Sequence, residues 1–120
     1  MAQLFIVDDD SFLHKVLERI ITIGGHQVVG HAYDGADALE KFVQMNPKPD
    51  LILMDHRMPV MSGTVATREL LHLDSTIKIV FISADETIKD EAIEAGALGF
   101  LTKPIRSAAL FSVIDEFVEK

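Results

Sequence analysis

Five short apolar runs alternate with five longer stretches of helical period along the chain. The runs are Leu4 to Val7, Gln27 to His31, Leu51 to Met54, Ile77 to Ile82 and Leu98 to Leu101. Several are rich in β-branched residues and apolar at consecutive positions, the pattern of strands buried on both faces. Five strand–helix units in a row call for right-handed crossovers and one parallel sheet covered on both sides. The expected fold is a doubly wound α/β domain. At 120 residues the chain is long enough for a single core without metal or disulfide staples, so residues 1–120 are expected to form one domain.

Each helical stretch carries its own stripe and stop. Phe12, Val16, Leu17 and Ile20 form the first stripe, ended by Gly24-Gly25. Ala36, Leu39, Phe42 and Val43 form the second, closed by Pro47 and Pro49. Val65, Ala66, Leu70 and Leu73 follow with Ser62 as the expected cap, then a weaker stripe of Ile88, Ala92 and Ala95 closed by Gly96. Ser107 is the expected N-cap of the last, which carries Leu110, Phe111, Ile114, Phe117 and Val118.

In sheets of this kind function gathers beyond the carboxyl ends of the strands. Asp8, Asp9 and Asp10 follow the first run, Asp55 the third, Ser83 the fourth, and Lys103-Pro104 the fifth. The exit of the second, Ala32-Tyr33-Asp34-Gly35, reads as an ordinary turn. One Asp suffices to cap the first helix. Adjacent carboxylates about 5 Å apart repel by about 3 kcal/mol per pair at an effective dielectric near 20. A hard divalent cation relieves that repulsion. Mg²⁺ suits the donors, since it prefers oxygen, takes few carboxylates and keeps waters that a phosphate can replace. Beside such a metal, Asp55 becomes a phosphoryl acceptor, a third ligand, or both. Lys103 balances the carboxylates and suits a phosphoryl oxygen.

Charge and composition exclude other classes. Eleven Lys and Arg against 19 Asp and Glu give a net charge of −8, which disfavours nucleic-acid binding. No apolar run approaches the ~18 residues of a membrane span. Met1-Ala2-Gln3 does not open a secretory signal, and cysteine is absent. A soluble cytoplasmic protein is expected. The five histidines never fall at i,i+3 or i,i+4, so no helical metal pair is expected, and His56 is expected to face solvent at the site rim.

Four segments then carry a family resemblance: Ile6-Val-Asp-Asp-Asp10, Asp50-Leu-Ile-Leu-Met-Asp-His-Arg-Met-Pro-Val-Met-Ser-Gly63, Ile79-Val-Phe-Ile-Ser-Ala84 and Gly96-Ala-Leu-Gly-Phe-Leu-Thr-Lys-Pro104. In order and spacing the chain resembles the receiver domain of two-component response regulators, over essentially its whole length. The resemblance implies a flavodoxin-like (βα)5 fold with a five-stranded parallel sheet. It implies a phosphorylation-activated switch that processes no independent substrate. Asp55 would be the phosphoacceptor, and Asp8, Asp9, Asp55 and the main-chain carbonyl of Arg57 would hold Mg²⁺. Lys103 would contact phosphoryl oxygens, Ser83 would be the switch hydroxyl, and Phe100 the aromatic switch. The Lys103–Pro104 bond matches a family feature that is often cis.

Ser83 stands where the family often has Thr, Phe100 where it often has Tyr, and Ser62 where it often has Asp. Arg57 and Asp85, each two residues past a site residue, occupy positions the family uses to tune hydrolysis of the aspartyl phosphate, and they carry opposite charges. The implied partners are a sensor histidine kinase or histidine phosphotransfer protein and a downstream output domain or target. The surface around the fourth helix, fifth strand and fifth helix would change on activation, and is the expected site of any weak homodimer. A flavodoxin-like electron carrier is disfavoured, because Asp8 to Asp10 would repel a flavin phosphate. A magnesium-dependent phosphatase would need a larger chain with a cap domain. A receiver-like scaffold working without phosphorylation is the remaining alternative, and the intact set of Asp8, Asp9, Asp55, Ser83 and Lys103 argues against it.

Overall fold

The computed structural model describes residues 1–118. Five strands, β1 (Gln3–Val7), β2 (Gln27–Ala32), β3 (Leu51–Asp55), β4 (Ile79–Ser83) and β5 (Gly99–Thr102), pair in parallel in the order β2-β1-β3-β4-β5. Between and after them run α1 (Ser11–Ile23), α2 (Gly35–Gln44), α3 (Gly63–Leu73), α4 (Lys89–Ala95) and α5 (Ser107–Phe117), with one 3₁₀ turn (Glu86–Ile88) leading into α4. Strand order reverses between β1 and β3, which opens a crevice at their carboxyl ends.

The consecutive apolar residues of the strands serve two cores. Leu4 and Ile6 of β1, with Leu51, Leu53, Val80 and Ile82, pack against Leu17, Ile21, Leu110 and Ile114 of α1 and α5. The alternate residues Phe5, Val7, Ile52, Met54, Ile79 and Phe81 face Phe42, Leu70 and Ala92 of α2, α3 and α4. Side chains alternate across a strand, so a sheet covered on both faces needs both sets apolar. Each fully buried Leu, Ile or Phe contributes about 1.5–3 kcal/mol, which fixes the strand ends that carry the polar residues.

Several helix stripes are rotated from their expected positions. Phe12 is 70% exposed and Val16 lies at the surface, whereas His14, Leu17 and Ile21 form the buried face of α1. Val43, Val65 and Leu73 are likewise exposed, whereas Phe42, Ala66 and Leu70 are buried as expected, with Ala38 and Thr67 beside them. The sheet touches only a narrow sector of each helix, and flanking apolar residues lie just outside it.

Caps explain the helix starts. Asp10 accepts from the amides of Phe12 and Leu13, Asp34 from Asp37, and Ser62 from Val65. Ser107 is the first residue of α5 rather than its cap; Arg106 stands at that position without a side-chain bond. Gly96, at φ 121°, ends α4 in a backbone conformation that residues with a Cβ rarely adopt. The Lys103–Pro104 bond is cis, and so is Asn46–Pro47. Among the described residues no helix is long and apolar enough to cross a membrane.

Candidate metal and phosphoryl site

The acid triplet divides its labour. Asp10 caps α1, while Asp8 and Asp9 remain for the crevice. Asp8, directly after β1, is fully buried, and Asp55, the last residue of β3, is nearly so; Asp9 is exposed. One carboxylate oxygen from each of Asp8, Asp9 and Asp55 lies within 4.8 Å of the others. Because β1 and β3 are neighbours in register, with Val7 opposite Met54, the two carboxylates emerge side by side.

Lys103, directly after β5, reaches across the end of β4 into this pocket. Its Nζ donates to Asp8 Oδ2 at 2.8 Å and to Asp55 Oδ1 at 3.3 Å. The Lys103 amide also donates to the Ser83 carbonyl at 2.8 Å, which aligns β5 with β4. One ammonium does not balance three carboxylates. Burial, and then the charge of Asp8, push the Asp55 pKa up to about 6 against the pull of Lys103. Burial also works against the charge on Lys103. The Asp8 hydrogen bond and the two carboxylate charges outweigh it, and its pKa lies above the ordinary value.

A hard cation fits this donor set. The converging atoms are all oxygens, two of the carboxylates are buried, and Lys103 brings a single ammonium to the three acidic residues.

Around the pocket, Ser83 ends β4 with a buried side chain, and its Oγ accepts from the Asp85 amide at 3.0 Å. Asp85 also takes hydrogen bonds from the Thr87 amide and hydroxyl, which with Arg57 depress its pKa. Arg57 Nη2, on the loop after β3, meets Asp85 Oδ2, on the loop after β4, at 2.9 Å. Phe100 lies opposite Phe81 in the β4–β5 register and packs half-buried against the α2–α4 side of the core. Thr102 Oγ1 donates to Glu86 at 3.2 Å, which ties β5 to the turn before α4. His56 does not simply face solvent: it is half-buried, and its enclosed Nδ1 has no hydrogen-bond partner among the described residues.

Two residues near the site gave no functional signal in the sequence. His14, on the buried face of α1, places its Nε2 2.7 Å from the Asp8 carbonyl, and its Nδ1 meets His31 Nδ1 at 2.7 Å. The available cue was the i,i+3,i+7 spacing of His14 with Leu17 and Ile21, which puts all three on one face.

An acidic crevice facing one lysine across a 2-1-3-4-5 sheet defines a class of metal-assisted phosphoryl-handling proteins. The sequence matches the Response regulator receiver domain family over residues 4–115. It is 36% identical over 116 residues to the chemotaxis protein CheY of Thermotoga maritima, covering 95% of each chain. Among solved structures it resembles the CheX–CheY–BeF3–Mg complex from Borrelia burgdorferi. There the TM-score is 0.90 and the identity 30%, with 98% of this chain and 90% of the other covered. It also resembles the receiver domain of a sensor histidine kinase from Pseudomonas aeruginosa PAO1, with a magnesium ion coordinated in its active-site cleft. In that case the TM-score is 0.88 and the identity 25%, covering 99% and 98%. The chain belongs to the response regulator receiver domain family, the phosphorylation-activated signalling switches of two-component systems.

Proposed function

We propose that Asp55 is the phosphoacceptor of this switch. The observation that carries the reading is the Asp55 carboxylate at the crevice floor, grouped with Asp8 and Asp9 and held 3.3 Å from Lys103. A carboxylate oxygen of Asp55 attacks the phosphorus of a phosphohistidine or a small acyl phosphate, and the bond from phosphorus to the donor's nitrogen or oxygen breaks. Asp8, Asp9, Asp55 and the Arg57 carbonyl would hold Mg²⁺, which supplies charge neutralisation to the transferring group. Lys103 holds a phosphoryl oxygen once its bond to Asp55 is exchanged for one to the new group.

Ser83 carries the signal outward. Its hydroxyl hydrogen is free to donate to the phosphoryl group while its oxygen accepts from Asp85, so movement of Ser83 draws the loop before α4 with it. Phe100, the neighbour of that loop on β5, turns inward in the same step. The surface of α4, β5 and α5 thereby changes for a downstream target or output domain. The phosphoryl donor is a sensor histidine kinase or a histidine phosphotransfer protein, met in the cytoplasm. The aspartyl phosphate is lost by hydrolysis that the domain itself promotes, and Arg57 with Asp85 slows that step.

Intact mass after incubation with Mg²⁺ and acetyl phosphate tests the reading. One added phosphoryl group is expected, absent without Mg²⁺ and absent in Asp55→Asn. A parent that gains no mass from acetyl phosphate or from a phosphohistidine donor would leave the unphosphorylated scaffold in its place.

A further inference from the structure

The support beneath Asp8 is built from two histidines. His14, buried on α1, reaches the Asp8 main-chain carbonyl with Nε2 at 2.7 Å. A carbonyl only accepts, so His14 Nε2 carries the hydrogen. His31 Nδ1, on β2, lies 2.7 Å from His14 Nδ1, and two ring nitrogens this close share one hydrogen, which one ring donates and the other accepts. Tyr33 packs against the His14 ring at 4.3 Å between centroids with the planes tilted by 32°, and Glu18 Oε1 lies 3.1 Å from the far nitrogen of His31. Lys41, from α2, holds the His31 carbonyl at 2.6 Å. The line Glu18–His31–His14–Asp8 thus crosses from the open edge of the sheet to the crevice floor, and each contact fixes the next.

At the inner end, the Asp8 amide donates to Ala32 of β2 and the Asp8 carbonyl accepts from His14. Its carboxylate is then held by the Asp10 amide at 2.8 Å and by Lys103. We propose that His14 is a positioning residue for the metal pocket, with His31 holding its ring from the far side, so that the Asp8 carboxylate is set before any cation arrives. The inference rests on the reading of Asp8 as a metal ligand. Partners of this outer kind orient a ligand and sharpen its affinity without touching the metal.

The test compares His14→Leu, His14→Gln, His31→Phe and Leu17→Ala in the full chain. A glutamine amide reaches the position of His Nε2 and keeps the donor. Without metal, amide exchange at Asp10, whose N–H is held by Asp8, is expected to quicken about tenfold in His14→Leu and His31→Phe. It should stay near the parent rate in His14→Gln. A Mg²⁺ titration is expected to show affinity about tenfold lower in His14→Leu and close to the parent in His14→Gln. Leu17→Ala, on the same helix face, loses packing and should keep the parent's Mg²⁺ affinity. Unchanged Asp10 exchange in His14→Leu would overturn the proposal, and so would a His14→Gln variant as impaired as His14→Leu. A parent that ignores Mg²⁺ would overturn the metal reading of the pocket, while Asp10 exchange still decides the role of His14.

Discussion

Arg57 and Asp85 meet at 2.9 Å, 28 residues apart in sequence and on the loops that follow β3 and β4. Thr87 holds the Asp85 carboxylate from the other side with both its amide and its hydroxyl, so the pair is braced rather than loose. Exposed ion pairs contribute little to stability. The role proposed for this one is to slow hydrolysis of the Asp55 phosphate. Replacing both residues with Ala is expected to shorten the lifetime of the phosphorylated form several-fold while barely moving the unfolding midpoint. Phosphate release from purified phosphoprotein measures it, and an unchanged rate would remove the pair from any tuning role.

The raised pKa of Asp55 has a direct consequence for stability. A carboxyl whose folded pKa is about 6 against an ordinary 3.8 binds more protons folded than unfolded between those values. Stability from this group is fully present below about pH 4 and is lost as pH rises through about 6. The interval corresponds to about 3 kcal/mol at most. In EDTA at pH 7, Asp55→Asn is therefore expected to be more stable than the parent by about 2 kcal/mol. The gap should close near pH 3.5 and shrink when Mg²⁺ is added. Urea midpoints at the two pH values decide it; a less stable Asp55→Asn at pH 7 would contradict the electrostatic account.

The sequence made the sheet and the crevice legible because both depend on short-range signals. Consecutive apolar residues such as Leu51 to Met54 announce a strand buried on two faces, and Asp55, Ser83 and Lys103 stand at or directly after strand ends. Side-chain partnerships were less accessible. Phe12 and Val16 share a helix stripe by spacing yet lie outside the contact sector, because only packing against β1 and α5 selects which sector turns inward. His14 looked polar and unremarkable. Its role depends on β2 bringing His31 within 2.7 Å, a meeting across 17 residues that no local pattern encodes.

Gly63 sits where the first turn of α3 abuts the end of β3. Its amide donates to the His56 carbonyl at 2.9 Å, and an added Cβ would overlap the Asp55 carbonyl oxygen and lie 2.9 Å from the Asp55 carbonyl carbon. That neighbour is backbone and cannot swing aside. Gly63→Ala is expected to destabilise the fold by about 1–3 kcal/mol, the usual range for overpacking. It should also slow phosphorylation by acetyl phosphate, because relief of the clash must move Asp55. Urea unfolding and phosphorylation rates check the two parts, and a neutral alanine would show that α3 yields instead.

Val60 adopts φ 70° at the centre of a tight turn in which the Met61 amide donates to the Pro59 carbonyl at 2.7 Å. A hydrogen bond spanning three residues with positive φ at the middle marks the strained form of the γ-turn. A β-branched residue suits it poorly, since the left-handed region costs about 1–2 kcal/mol for residues with a Cβ. The side chain is 82% exposed, so little packing opposes its removal. Glycine adopts this φ freely but carries more conformational entropy in the unfolded chain, an offset of about 0.5–1 kcal/mol. Strain relief wins by a narrow margin. Val60→Gly is expected to raise the thermal midpoint by about 2–4 °C and leave Mg²⁺ affinity unchanged. Calorimetry on the two proteins measures the first, and a lowered midpoint would mean that the turn holds Val60 without strain.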